Sequence, residues 1–127
     1  MKLLLDTHTF LWSMTGSHLS ERARATFLNR ENRLFLSAAS YWEICIKIGI
    51  GKLALAANWP QVFEEEIAAN GIQWLPIEKE HSRKVIELPL IHRDPFDRLL
   101  VAQALCEDMT ILTADSNIQS YAVTTLW

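Results

Sequence analysis

The sequence predicts an α/β fold on a mainly parallel sheet. Two observations predict it: short apolar runs alternate with longer helical segments, and acids recur where a run ends or a helix begins. In such a sheet the ligand crevice lies outside the carboxyl ends of the strands. Four acids far apart in the chain, Asp6, Glu43, Asp97 and Asp115, would then reach one edge.

Residues 2–5 form a short apolar run closed by Asp6-Thr7 and read as a buried strand, and residues 34–36 and 111–112 share that character. Gly16-Ser17 makes a turn, and residues 20–29, with Ser20 as N-cap, read as the first crossover helix. Residues 37–50 place Tyr41, Ile44, Cys45 and Ile48 on one helical face, with Gly49 and Gly51 at the end. Pro60 takes the first position of a helix reaching Ala69; Asn70-Gly71 stops it, residues 72–75 form a strand and Pro76 closes that strand. Residues 78–88 read as a helix ended by Pro89. Asp94-Pro95 opens an apolar helix through Cys106, residues 110–113 make the fourth strand, and a last short strand falls within 121–126.

At 127 residues the chain fits a single domain, 1–127, that removes roughly two thirds of its unfolded surface from water. Half the residues (50%) are hydrophobic and 21% charged, without linker, repeat or low-complexity tract, which excludes a disordered chain. Asp6 and His8 interrupt the first apolar run before a signal peptide or membrane span can form, so a cytoplasmic protein without a membrane partner is expected. Cys45 and Cys106 lack CxxC spacing and are expected as free, buried thiols. The formal charge of −3 is unusual for a nucleic-acid binder, but with four carboxylates neutralised by metal the remainder carries −3 + 4 = +1. Binding would then rest on local basic residues.

Each acid also has a plainer explanation. Asp6 and Asp115 fit strand-end turns, Ser40-x-x-Glu43 matches a capping box, Lys47 lies at i+4 from Glu43, and Asp94 before Pro95 is a strong N-cap. Asp97 in the first helical turn is favoured by the helix dipole by about 0.3–1 kcal/mol. One metal site accounts for all of them more economically. Two carboxylates at about 4 Å repel by roughly 4 kcal/mol at an effective dielectric near 20, so a cluster calls for a cation. Oxygen ligands alone suit Mg²⁺ or Mn²⁺ better than Zn²⁺, and hydrolysis of phosphodiesters is the leading activity.

The segments LLLDTHTFLW, SAASYWEICIKIGIGKL, HRDPFDRLLVAQAL and ILTAD, in this order and spacing, resemble the PIN-domain nucleases, specifically the VapC-type toxins of type II toxin–antitoxin pairs. The resemblance covers nearly the whole chain. It implies a three-layer α/β/α sandwich, Mg²⁺- or Mn²⁺-dependent endoribonuclease activity, a homodimer and a small cognate antitoxin. It also implies catalytic, metal-holding roles for Asp6, Glu43, Asp97 and Asp115, with Asp94 belonging to the DPFD variant of the motif. Thr7 and Thr113 flank two of the acids and are candidates to orient them or a phosphate.

The expected reaction is in-line hydrolysis of an RNA phosphodiester, leaving a 3′-hydroxyl and a 5′-phosphate. Candidate RNA contacts are Lys47, Lys52, Arg93 and Arg98, although Lys47 can instead pair with Glu43 and Arg98 with Asp94. Trp12 and Trp42 border motif residues; core packing is the preferred reading for both over stacking of a base. Segments around Trp59 and Phe63 can line a partner groove or belong to the core. Two rival functions remain at this level. One is a phosphatase with Asp6 as nucleophile, although His8 stands where a second Asp is wanted; the other is a catalytically silent PIN-like module that binds RNA or protein.

Overall fold

The computed structural model describes residues 1–127. Five strands, β1 (Lys2–Leu5), β2 (Arg33–Ser37), β3 (Gln73–Leu75), β4 (Thr110–Leu112) and β5 (Thr125–Leu126), form one sheet in the order β3-β2-β1-β4-β5. Every pairing is parallel. Seven helices complete the chain: α1 (Thr7–Thr15), α2 (Glu21–Leu28), α3 (Ala38–Gly49), α4 (Trp59–Ala69), α5 (Lys79–Val85), α6 (Pro95–Glu107) and α7 (Ser116–Gln119).

The alternation of strand side chains splits the core in two. Leu3, Leu5, Leu34, Leu36 and Leu112 face Phe10, Phe27, Ile44 and Phe63 on one side, while Leu4, Phe35 and Ile111 face Leu100, Val101, Ala104 and Ile118 on the other. A sheet buried on both faces is the expected environment of parallel strands, and its continuously apolar runs follow from it. The result is the three-layer α/β/α sandwich. The chain moves outward from β1 through β2 to β3, then returns to place β4 on the free side of β1. This reversal puts the switch point, where open α/β sheets bind ligands, between the carboxyl ends of β1 and β4.

Several local expectations need correction. Residues 7–15 form a helix, so residues 20–29 are not the first crossover helix; α1 starts directly at the end of β1, with Asp6 at its N-cap position. The helix after β2 is capped by Ser37, whose hydroxyl accepts from the Ala39 N–H at 3.0 Å, and Ser40 and Glu43 form no capping box. Helix α5 ends at Val85, short of the expected Leu88. Cys45 and Cys106 are free, but Cys45 is half-buried and Cys106 exposed, so neither is the buried thiol expected. No helix is long and apolar enough to cross a membrane.

Candidate functional site

The switch point gathers the predicted acids. Asp6 ends β1 and is only 5% exposed, yet its carboxylate makes no cap hydrogen bond to α1. Instead Thr113 Oγ1, from the end of β4, donates to Asp6 Oδ2 at 2.8 Å and itself accepts from the Asp115 N–H at 3.0 Å. Glu43, buried on α3, receives a hydrogen bond on Oε1 from Thr7 Oγ1 at 2.8 Å and an ion pair on Oε2 from Lys47 Nζ at 2.8 Å. Thr7 Oγ1 also lies 2.9 Å from Ser40 Oγ. Both threonines therefore orient acids.

Helix α6 delivers Asp94 and Asp97 through its first turn. Asp94 Oδ1 accepts from the N–H groups of Phe96 (2.9 Å) and Asp97 (3.0 Å), the N-cap expected of an Asp before Pro95. Asp115 caps α7 in the same way, with Oδ1 accepting from Asn117 (2.8 Å) and Ile118 (3.2 Å). Capping therefore accounts for one oxygen of each of these residues. Asp97 is different, for its Oδ2 meets His92 Nε2 at 3.1 Å and Oδ1 has no protein partner. The free oxygens of Asp6 and Asp97 reach solvent, because no buried side-chain oxygen or nitrogen lacks a hydrogen bond.

Electrostatics ties these residues together. Burial pushes the Asp97 carboxyl up to about 7; His92 opposes the rise, while Asp94, Asp6 and Asp115 add to it. Burial likewise raises the Asp6 carboxyl, with Thr113 opposing and Asp115 contributing. The Lys47 ammonium is held above its usual range chiefly by its hydrogen bond to Glu43, and it also feels Asp94 and Asp97. Carboxyls that resist becoming anionic together are what a divalent cation relieves. The donor set is all oxygen and fits Mg²⁺ or Mn²⁺. No three of the four main acids bring oxygens within 4.8 Å of one another.

A tighter cluster lies elsewhere, where Glu80, His81 and Glu107 place potential ligand atoms within 4.8 Å. It is a poor metal site. His81 Nδ1 accepts the Glu78 N–H at 3.0 Å, so the ring proton resides on Nε2 and is donated to Glu107 Oε1 at 2.9 Å. A metal on Nε2 would have to displace that proton and leave the ring anionic.

The basic residues divide. Lys52 and Arg93 are exposed, whereas Lys47 is committed to Glu43. Arg98, expected on the surface, is 8% exposed and turned inward. Its guanidinium donates to the carbonyls of Pro89 (2.7 Å) and Val85 (3.3 Å) and to Tyr121 Oη (3.1 Å), so it is engaged inside the protein and does not pair with Asp94. Trp42 departs from the core reading, being 57% exposed with its ring edge-on to Phe96 at 5.5 Å. Phe63 is core, but Trp12 and Trp59 line a cleft of about 730 Å³ that runs from Thr7 and Lys47 past Lys52.

Sequence reasoning missed Ser40, His92 and Tyr121. Ser40 was legible only as a helix cap, and His92 and Tyr121 meet across 29 residues that no local spacing rule connects.

The PIN domain family model matches residues 3–123. No curated protein matches the chain. Among solved structures, the chain is similar to VapBC2 from Rickettsia felis bound to a promoter DNA fragment, with TM-score 0.76 and 15% identity over 99% of this chain and 98% of that one. It is similar also to VapBC-1 from nontypeable Haemophilus influenzae, with TM-score 0.66 and 16% identity over 99% and 97% of the two chains. FitAcB from Neisseria gonorrhoeae gives TM-score 0.63 and 20% identity over 98% and 96%. At these identities the likeness is one of fold.

Proposed function

The chain belongs to the PIN domain family, and we infer that it is a Mg²⁺- or Mn²⁺-dependent endoribonuclease acting as the toxin of a toxin–antitoxin pair. The observation that carries this reading is the convergence of Asp6, Glu43, Asp97 and Asp115 on the switch point of the sheet, with Asp6 and Glu43 buried and oriented by Thr113 and Thr7 and with Oδ1 of Asp97 free of any protein partner. Similarity in fold to the VapBC and FitAcB structures supports the toxin assignment.

In this reading Asp6, Glu43, Asp97 and Asp115 hold the metal. When bound, the cation supplies a nucleophilic water at neutral pH and neutralises charge on the phosphate. The chain's own residues do the rest. Thr113 and Thr7 fix the rotamers of Asp6 and Glu43 by their hydrogen bonds, and Asp94 and Asp115 hold the starts of α6 and α7 in place through their caps. Lys52 and Arg93 are the exposed cations assigned to the RNA backbone. Hydrolysis with an inverted phosphorus leaves 5′-phosphate ends, and the 2′-hydroxyl takes no part.

A cognate antitoxin occupies the cleft bordered by Trp12, Trp59 and Lys52, where apolar walls reach the edge of the acid cluster. A homodimer in the cytoplasm completes the proposal. The test is incubation of antitoxin-free protein with cellular RNA and Mg²⁺ or Mn²⁺, alongside EDTA and Asp97→Asn controls, with mapping of the new ends. Discrete metal-dependent cuts bearing 5′-phosphates are expected. Cuts ending in 2′,3′-cyclic phosphate, or surviving EDTA, would overturn the mechanism; a phosphatase using Asp6 would release inorganic phosphate without cutting the chain.

A further inference from the structure

Asp97 stands at the end of a hydrogen-bonded row of side chains that begins at Arg98. The Arg98 guanidinium donates to Tyr121 Oη at 3.1 Å, Tyr121 Oη lies 2.8 Å from His92 Nδ1, and His92 Nε2 lies 3.1 Å from Asp97 Oδ2. Chemistry fixes the direction of the first step. A guanidinium only donates, so the phenol oxygen accepts there and keeps its single proton free for Nδ1. With Nδ1 accepting, the ring proton sits on Nε2 and goes to Asp97. The origin of the row is anchored, since Arg98 also donates to the carbonyls of Pro89 at 2.7 Å and Val85 at 3.3 Å.

Both members of the last pair are largely shielded, with side-chain exposures of 13% for His92 and 14% for Asp97. Resting on the reading of Asp97 as a metal ligand, we propose that His92 is a positioning residue: it holds Oδ2 of Asp97 so that Oδ1, which has no protein partner, faces the metal, while Tyr121 and Arg98 hold the imidazole in the required tautomer. Hydrogen bonds from outside the ligand set orient ligands and raise metal affinity in this manner. The row also assigns a task to Arg98, whose charge is otherwise hard to justify in a buried position.

Mn²⁺ binding to the purified full chain, followed by titration calorimetry alongside metal-free melting, separates this from a structural tie. Asp97→Asn should lose the most affinity. His92→Ala should weaken Mn²⁺ by about tenfold or more. His92→Gln, whose amide N–H reaches a position similar to Nε2, should recover most of that loss, and Tyr121→Phe, which frees the tautomer, should fall between. If His92→Ala and Tyr121→Phe bind Mn²⁺ like the parent while Asp97→Asn does not, positioning is wrong and the metal reading stands. Should Asp97→Asn also bind like the parent, the ligand reading of Asp97 fails and positioning fails with it. No recovery in His92→Gln counts against the hydrogen bond as the cause. If His92→Ala does not fold, Tyr121→Phe, which loses one oxygen, supplies the same comparison.

Discussion

The two ends of α6 carry the same pair in different company. At the first turn Asp97 meets His92 at 3.1 Å; in the last turn Glu107 meets His81 at 2.9 Å, about 15 Å away along the axis. Each imidazole has its other nitrogen occupied, by Tyr121 Oη in one case and the Glu78 N–H in the other. Yet of the two carboxylates only Asp97 lies among Asp94, Asp6 and Asp115, and burial together with these neighbours pushes its carboxyl up to about 7. Glu107 keeps a 32% exposed side chain and only accepts a hydrogen bond from His81 Nε2. A carboxylate–histidine pair thus becomes a candidate site through the other acids the topology brings beside it. The pair alone makes a tie between helices, here α5 to α6.

The largest contrast should appear in activity. Asp97→Asn is expected to reduce metal-dependent RNA cleavage by about a hundredfold or more, because on the proposed reading it removes an anionic oxygen that would hold the cation. Glu107→Gln should leave cleavage within assay error. Comparable losses in both variants would show that the two ends are not functionally distinct.

Stability should separate the ends in the opposite sense. His81 is fully buried, and His81→Ala removes the partner of the Glu78 N–H and of Glu107 together. It should cost about 1–3 kcal/mol by denaturant unfolding and leave Mn²⁺ affinity unchanged. A change in Mn²⁺ affinity here would move the metal site toward α5.

Acidity supplies a third, smaller contrast. The Asp97 carboxyl titrates near 7 in the folded chain against an ordinary 3.8, so the native state keeps a proton that the unfolded chain gives up. Its contribution to stability is full below about pH 4 and is lost as pH rises toward 7. The melting temperature of the metal-free protein should therefore fall across that window, with Asp6 adding in the same direction. Asp97→Asn should flatten the fall and leave the metal-free protein more stable at neutral pH, whereas Glu107→Gln should keep the parent's slope. An unchanged slope in Asp97→Asn would place the perturbed carboxyl elsewhere.

Much of the fold and of the acid cluster is legible in the sequence alone. Strands β1, β2 and β4 stand out because a sheet covered on both faces demands unbroken apolar runs, and the acids stand out because such runs end abruptly in Asp6 and Asp115. Helix α1 was hidden because buried Thr7 and Thr9 occupy positions where a helical pattern expects apolar residues, and threonine favours helices weakly. Arg98 misled because charge and an i+4 spacing from Asp94 both imply a surface pair, while its real partners are carbonyls of the 85–89 segment and a phenol on Tyr121. Contacts of that reach depend on the finished fold. The role of His92 was concealed for the same reason, although the residue opens the HRDPFD segment.

The smallest expected effect tests whether the acid end of α6 also faces RNA. Arg93 is exposed and directly precedes the Asp94 cap, whereas Lys84 stands on α5 within electrostatic reach of Cys106 in the last turn of α6, its side chain 34% exposed and 3.7 Å from Glu87. If phosphates pass the acids, Arg93→Ala should weaken RNA binding by a similar factor for all sequences and lower the salt slope by about 1. Lys84→Ala should change neither, since nothing negative has to be delivered to its end of the helix. The measurement is affinity at several salt concentrations for an uncleaved RNA bound to Asp97→Asn protein. Equal slopes for Arg93→Ala and the parent would remove Arg93 from the path and leave Lys52 to direct the strand along the cleft. Equal losses from Arg93→Ala and Lys84→Ala would mean that RNA senses only overall charge, and the two ends of α6 would then differ in chemistry without differing in recognition.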